Sequence, residues 1–200
     1  MNAPWVQPDT KLTVHYQAAP PQHVRWGFHR PASAVLKSCP LMVGISEDGQ
    51  LCRIMFGNEA SQKHLIERWR QEWKKCIFEK DEVGTRFVID SLDGKKTDLK
   101  LWIAGTAFQQ SVWKAMLKIP VGKTLSYSAV AAQIKRPNAV RAVGTACGAN
   151  PVPLIVPCHR IVGSHGNLGG FGGGLPLKRR LLEAEGGAFK TGSSNLELLR

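Results

Sequence analysis

No stretch of this chain approaches the roughly 18 consecutive apolar residues that would suggest a membrane span. Met1 to Thr10 has no basic region followed by an apolar run, as an export signal would. An intracellular, cytoplasmic setting without membrane contact is therefore expected. Cys-x-x-Cys pairs are missing as well. The five cysteines (Cys39, Cys52, Cys76, Cys147, Cys158) are odd in number and widely spread, which supplies no zinc or redox motif. Reduced thiols are the expectation, with a Cys39 to Cys52 bridge left open. The most informative lack is of acidic residues: between Leu99 and Leu182 there is not one Asp or Glu against eleven Lys or Arg. Of the net charge of +12, only +3 belongs to residues 1 to 100. A field of one sign over that length draws a polyanion, nucleic acid foremost, and a solvated basic surface is the plainer alternative.

With 200 residues, 43% of them apolar, the chain can bury one large core or two small ones. The first hundred residues read as β-rich with one helix. Lys11 to Tyr16 alternates. Leu41 to Ser46 and Leu51 to Phe56 flank Asp48-Gly49 in the manner of a hairpin, and Ala60 to Lys75 carries Leu65, Ile66, Trp69 and Trp73 at helical spacing. Asp90 to Lys100 reads as a connection, and the second unit is predicted helical. Thr106-Ala107-Phe108-Gln109 is a capping box, followed by the stripe Phe108, Val112, Met116 and Ile119 and stopped by Pro120. A helix from an Ser126 N-cap to about Ile134 and another from Pro137 to Gly148 give a helix-turn-helix pattern. In the latter, Ala139, Ala142, Ala146 and Ala149 form a smooth face with Arg141 its only charge, and Val140, Val143 and Cys147 supply the packed side.

Pro157-Cys158-His159-Arg160 closes the apolar run Pro153-Leu154-Ile155-Val156 and sets a thiol beside an imidazole. Cysteine attacks as thiolate, which is scarce at neutral pH unless a base or positive charge is near. A small buried hydrophobe next to a surface histidine is the bland alternative.

This tetrapeptide follows Asn150-Pro151-Val152-Pro153, with Arg141-Ala142-Val143-Gly144 upstream and Lys178 to Leu182 and Glu185-Gly186 downstream. Together these resemble the O6-alkylguanine-DNA alkyltransferases from about Gly105 to Gly186. The resemblance implies transfer of an alkyl group from O6 of guanine, and from O4-alkylthymine, in duplex DNA to Cys158, once per molecule. It assigns Cys158, His159, Glu185, Asn150 and Tyr127 to the chemistry. Arg141, Tyr127, Ser128, Ala139, Ala142, Arg136 and Gln109 are assigned to DNA contacted in the minor groove, with Arg141 filling the stack vacated by a flipped base. Phe171, Gly172, Gly173, Ser164, Lys178 and Pro153 are assigned to the pocket. The implied protein is a monomer that uses no cofactor and no metal. His15, His23, His29, Cys39 and Cys52 lack the tight spacing of the zinc ligands in some relatives.

Two features depart from the family pattern. Many relatives have tyrosine at Phe171 and a larger residue at Gly172 or Gly173, which leaves two readings open: a roomy pocket that accepts groups bulkier than methyl, or a flexible loop with the family's average specificity. A segment around Pro20 to Pro31 looks additional. The fold expected is α/β (α+β). It comprises an N-terminal mixed sheet with helix (residues 1–100, ribonuclease H-like by resemblance), a connection near 90–105, a C-terminal helical domain with helix-turn-helix and active-site loop (101–190), and a flexible tail (191–200). Two other readings stand beside alkyl transfer: a non-enzymatic binder of alkylated DNA, in which the cysteine is replaced, and a cysteine hydrolase using Cys158, His159 and Glu185.

Overall fold

The computed structural model describes residues 11–189, so the expectation of a tail over 191–200 lies outside the described residues. Six strands form one mixed sheet: β1 (Leu12–Gln17), β2 (His23–His29), β3 (Leu41–Ser46), β4 (Leu51–Phe56), β5 (Ile77–Lys80) and β6 (Leu99–Ala104), in the order β1-β6-β4-β3-β2-β5. Neighbours β2, β3 and β4 are antiparallel, whereas β5 joins β2, and β6 joins β4 and β1, in parallel. The β3–β4 hairpin turns where the sequence predicts it. Gly49 takes a φ of 74° and donates to Ser46 O at 2.9 Å, a backbone state that glycine adopts without steric cost.

Helix α1 (Gln62–Glu72) covers one face of the sheet through Leu65, Ile66 and Trp69, which pack with Val24, Trp26, Met42, Cys52 and Met55. Trp69 is fully buried, and a Cβ on Gly44 of β3 would lie 2.0 Å from its ring, so the indole seats directly on the strand backbone. Truncating such a side chain costs about 3–5 kcal/mol.

The first half holds more regular structure than the sequence predicts. The segment around Pro20 to Pro31 contains β2, hydrogen-bonded on both sides. Its alternation of Val24, Trp26 and Phe28 is masked by the flanking prolines. The first half also holds a second helix, α2 (Glu82–Leu92), capped by Asp81, whose carboxylate accepts from Gly84 N at 2.7 Å. Asp90 to Lys100 is consequently not a simple connection: it ends α2 and opens β6.

The other face of the sheet shares a core with the rest of the chain. Val43, Ile45, Leu101 and Ile103 pack in one cluster with Val112, Met116, Val130, Val143, Val156 and Leu181. Helix α3 (Ala107–Leu117) begins on the predicted box, with Thr106 N donating to Gln109 Oε1 at 2.9 Å. A two-stranded parallel pair, β7 (Leu125–Ser126) with β8 (Ile161–Val162), joins the start of α4 (Tyr127–Gln133) to the segment after Cys158. Ser126 caps α4 by accepting from Ala129 N at 3.1 Å.

The next helix, α5 (Val140–Gly148), starts later than the Pro137 expected, because Pro137 and Asn138 lie in a turn. Its inner side also differs. Val143 and Ala146 are buried, and Ala146 O accepts from Trp113 Nε1 at 2.9 Å, whereas Val140 faces solvent. Ala142, Ala149 and Arg141 are exposed as expected. The last helix, α6 (Leu175–Ala184), begins with Pro176 in its first turn and buries Leu177, Leu181 and Leu182.

Candidate active site

The turn that carries Cys158 follows a proline-rich stretch. Val156 N donates to Val152 O at 3.0 Å, and Leu154, wholly enclosed by the core, is held at a φ of 78°. Such a backbone costs of order 1–3 kcal/mol and persists only where surrounding packing fixes it. After Pro157, residues Cys158–Arg160 make a single 3-10 turn, with Cys158 N bonded to Val156 O at 2.8 Å. Asn150, just beyond α5, ties the helix to this turn: its Nδ2 donates to Val156 O at 2.7 Å and its Oδ1 accepts from Val152 N at 3.1 Å.

Cys158 is only 9% exposed, and His159 is fully buried. Burial pushes the Cys158 thiol above its ordinary value, opposed by Asn150, by the Lys178 charge and by backbone N–H groups. The resting group is therefore a thiol, and attack requires a proton acceptor. His159 Nε2 faces Glu185 Oε1 at 3.1 Å. Burial lowers the imidazole's affinity for protons despite the Glu185 charge, so the ring is neutral at pH 7 and able to accept one. Burial raises the Glu185 carboxyl, but hydrogen bonds and charges from His159 and Arg160 outweigh it and hold the group below its usual range.

Arg160 is part of this cluster. Its Nε donates to Glu185 Oε2 at 2.9 Å, Nη2 to Oε1 at 2.7 Å and Nη1 to Ile119 O at 2.6 Å. Sequence spacing gave no sign of this pair, which closes across 25 residues.

Of the predicted site residues, Cys158, Asn150, Tyr127, Pro153, Phe171 and Gly172 line one cleft of about 730 Å³. Gly144, Cys147, Gly148 and Ala149 of α5 and its end complete that side. The opposite wall, Arg53, Ile54, Met55, Phe56, Leu65, Arg68 and Glu72, comes from the N-terminal half and went unanticipated. Lys178, Gly173 and Ser164 are not in the lining. Lys178 is wholly buried behind it, where its ammonium donates to Ile161 O at 2.5 Å, to Leu168 O, and to Gly170 O at 3.3 Å. Desolvation lowers its pKa to about 8. Ser164 is exposed in a 3-10 turn. Arg136, Arg141, Ser128 and Ala142 lie on the exposed side of α4, α5 and their connecting turn, with Ala139 half-buried at the start of α5. Gln109 Oε1 is committed to the α3 cap. All five cysteines are free, so Cys39 and Cys52 are not bridged. Among the described residues no three His, Cys, Asp or Glu side chains are placed to hold a metal ion, and no helix is long and apolar enough to cross a membrane.

Residues 107–187 match the family model for the 6-O-methylguanine DNA methyltransferase DNA-binding domain. A methylated-DNA--protein-cysteine methyltransferase from Methanosarcina mazei is 40% identical over 142 residues, covering 66% of this chain and 89% of the relative. The chain belongs to the methylated-DNA--protein-cysteine methyltransferase family. A Mycobacterium tuberculosis member is 57% identical over 88 residues, 44% of this chain, so the match spans about half (53%) of that relative's length. A solved structure described as Mycobacterium tuberculosis OGT in complex with DNA superposes with a TM-score of 0.63 at 35% identity, covering 81% of this chain and 92% of the other. The family model thus takes in α3 to α6 together with Cys158, His159 and Glu185, and the mixed α/β architecture is shared with the mycobacterial structure.

Proposed function

We propose that this protein repairs duplex DNA by moving the alkyl group of O6-alkylguanine, and of O4-alkylthymine, onto Cys158. The observation that carries this reading is the position of the Cys158 thiol in the wall of a cleft, backed by the buried pair His159 and Glu185. In the transfer, Sγ attacks the alkyl carbon opposite the oxygen. The C–S bond forms as the C–O6 bond breaks, and the bonding pair stays on guanine. The thiol proton leaves by way of His159 and water, and an equivalent proton ends on the base. Glu185 stabilises the imidazolium while it exists. A thioether is not hydrolysed readily, so the acceptor is consumed.

Helices α4 and α5 act in this reading as a helix-turn-helix laid into the minor groove, where the small residues Ala142, Gly148 and Ala149 permit close approach. A stacked guanine cannot present its O6 to a buried thiol, so the base is flipped. Arg141 then fills its place, and Tyr127, half-buried in the cleft, meets the departing base. The protein acts in the cytoplasm, as a monomer.

The test is intact mass after mixing with a duplex containing O6-methylguanine. One methyl is expected on Cys158 and none in Cys158→Ala. Absence of a gain in wild type, or an equal gain in Cys158→Ala, would sink the reading.

A further inference from the structure

We propose that Phe56, supplied by the N-terminal sheet, sets the size of alkyl group that Cys158 accepts, an inference that rests on the alkyl-transfer reading. Phe56 is the last residue of β4 and lines the same cleft as the thiol. Its ring meets that of Phe171 at 5.3 Å between centroids, tilted by 53°, and Phe171 in turn stands edge-on to the His159 imidazole at 6.4 Å. Strand and acceptor loop are pinned together two residues earlier, where Ile54 N donates to Pro151 O at 2.8 Å. Residues two apart on a strand share a face, so Phe56 lies on the side of buried Ile54 and packs against the same core.

The glycine run alone would widen the cleft, but Phe56 occupies much of the room it leaves. A Cβ on Gly173 would sit 3.2 Å from Phe56 Cγ, and one on Gly172 3.8 Å from Phe56 Cδ2. An aromatic ring with two torsions, anchored at its backbone, is a stiff wall. Deleting it frees about one phenyl volume next to Phe171, which is the volume by which a benzyl group exceeds a methyl.

The experiment measures single-turnover rates with duplexes containing O6-methylguanine or O6-benzylguanine, for wild type, Phe56→Ala and Phe56→Leu. Thermal unfolding of each variant shows whether it is folded. The benzyl-to-methyl rate ratio is expected to rise at least about tenfold in Phe56→Ala, the order of discrimination that a change in apolar pocket volume produces. Phe56→Leu, which keeps β4 packed, should give an intermediate ratio and decides the matter if the alanine variant does not fold. An unchanged ratio in folded variants, including an equal loss of both rates, overturns the role of Phe56 while leaving alkyl transfer standing. No transfer from either duplex by wild type overturns the alkyl-transfer reading, and the role of Phe56 with it.

Discussion

Arg160 and Glu185 form a two-point ion pair inside the fold, and one of the carboxylate oxygens it uses, Oε1, is also the one that faces His159. Glu185 therefore serves two partners, one fixed cation and one titratable ring. Replacing Glu185 with Gln leaves the buried guanidinium without its counter-charge. Breaking a buried pair from one side costs about 3–5 kcal/mol. Urea unfolding should show a loss of that order. The double variant Arg160→Met, Glu185→Gln should recover part of it, since the uncompensated charge is then gone.

Acid should weaken the fold in two stages. Both His159 and Glu185 have their folded-state pKa values lowered, so each contributes stability that is whole above its ordinary value and is lost as pH falls toward the folded value. The first stage begins near 6.5, the ordinary histidine value, and the second near 4.5, that of glutamate. Lys178 acts with the same sign at the alkaline end, where stability rises between about 8 and 10.5. Denaturant midpoints followed from pH 10.5 to pH 4 check this, and His159→Gln should shrink the first stage to the share left by His29, whose pKa burial also lowers. With His159 accepting the thiol proton, as proposed, the transfer rate should hold to below pH 6.5, because the ring's pKa is lowered.

Arg141→Ala separates DNA handling from chemistry. Repair of duplex DNA should slow by 10-fold or more if the side chain fills the vacated stack, an effect of about 1.4 kcal/mol. Reaction with free O6-benzylguanine should change little. Equal losses on the two substrates would remove Arg141 from base flipping.

The pocket glycines should differ from each other. A methyl group at Gly172 meets nothing closer than 3.8 Å, so Gly172→Ala should shift stability by less than about 0.5 kcal/mol. At Gly173 it would lie 2.6 Å from Leu177 Cδ2 and 3.0 Å from the Phe171 ring, and overpacking of this kind costs about 1–3 kcal/mol. Thermal midpoints of the two variants settle the contrast. Gly172→Ser should then lower benzyl transfer relative to methyl if the cleft is as roomy as its glycines imply.

What was legible in the sequence was local or carried by a dense motif. The Asp48-Gly49 turn, the Thr106 cap and the spacing of Leu65, Ile66 and Trp69 each act within a few residues, so pattern alone places them. Cys158, His159 and Asn150 come together because the proline-rich segment 150–159 brings them there. Contacts across the chain left no such trace. Nothing in the β4 sequence says that Phe56 will meet Phe171, and the Arg160 pairing with Glu185 depends on how α6 returns past the acceptor turn. Helix α5 shows a subtler limit. Alanine suits a packed face and an exposed one equally well, so the pattern could not tell that Ala146 turns inward while Val140 turns out.

Lys178 and Glu185 stand seven residues apart on and just beyond α6, two turns and about 10 Å along one side of it. One side chain gathers the carbonyls of Ile161, Leu168 and Gly170, and the other steadies the imidazole. The helix is thus a rod carrying two clamps of opposite charge at a set separation. Any tilt of that rod moves the glycine loop and the His159 ring together.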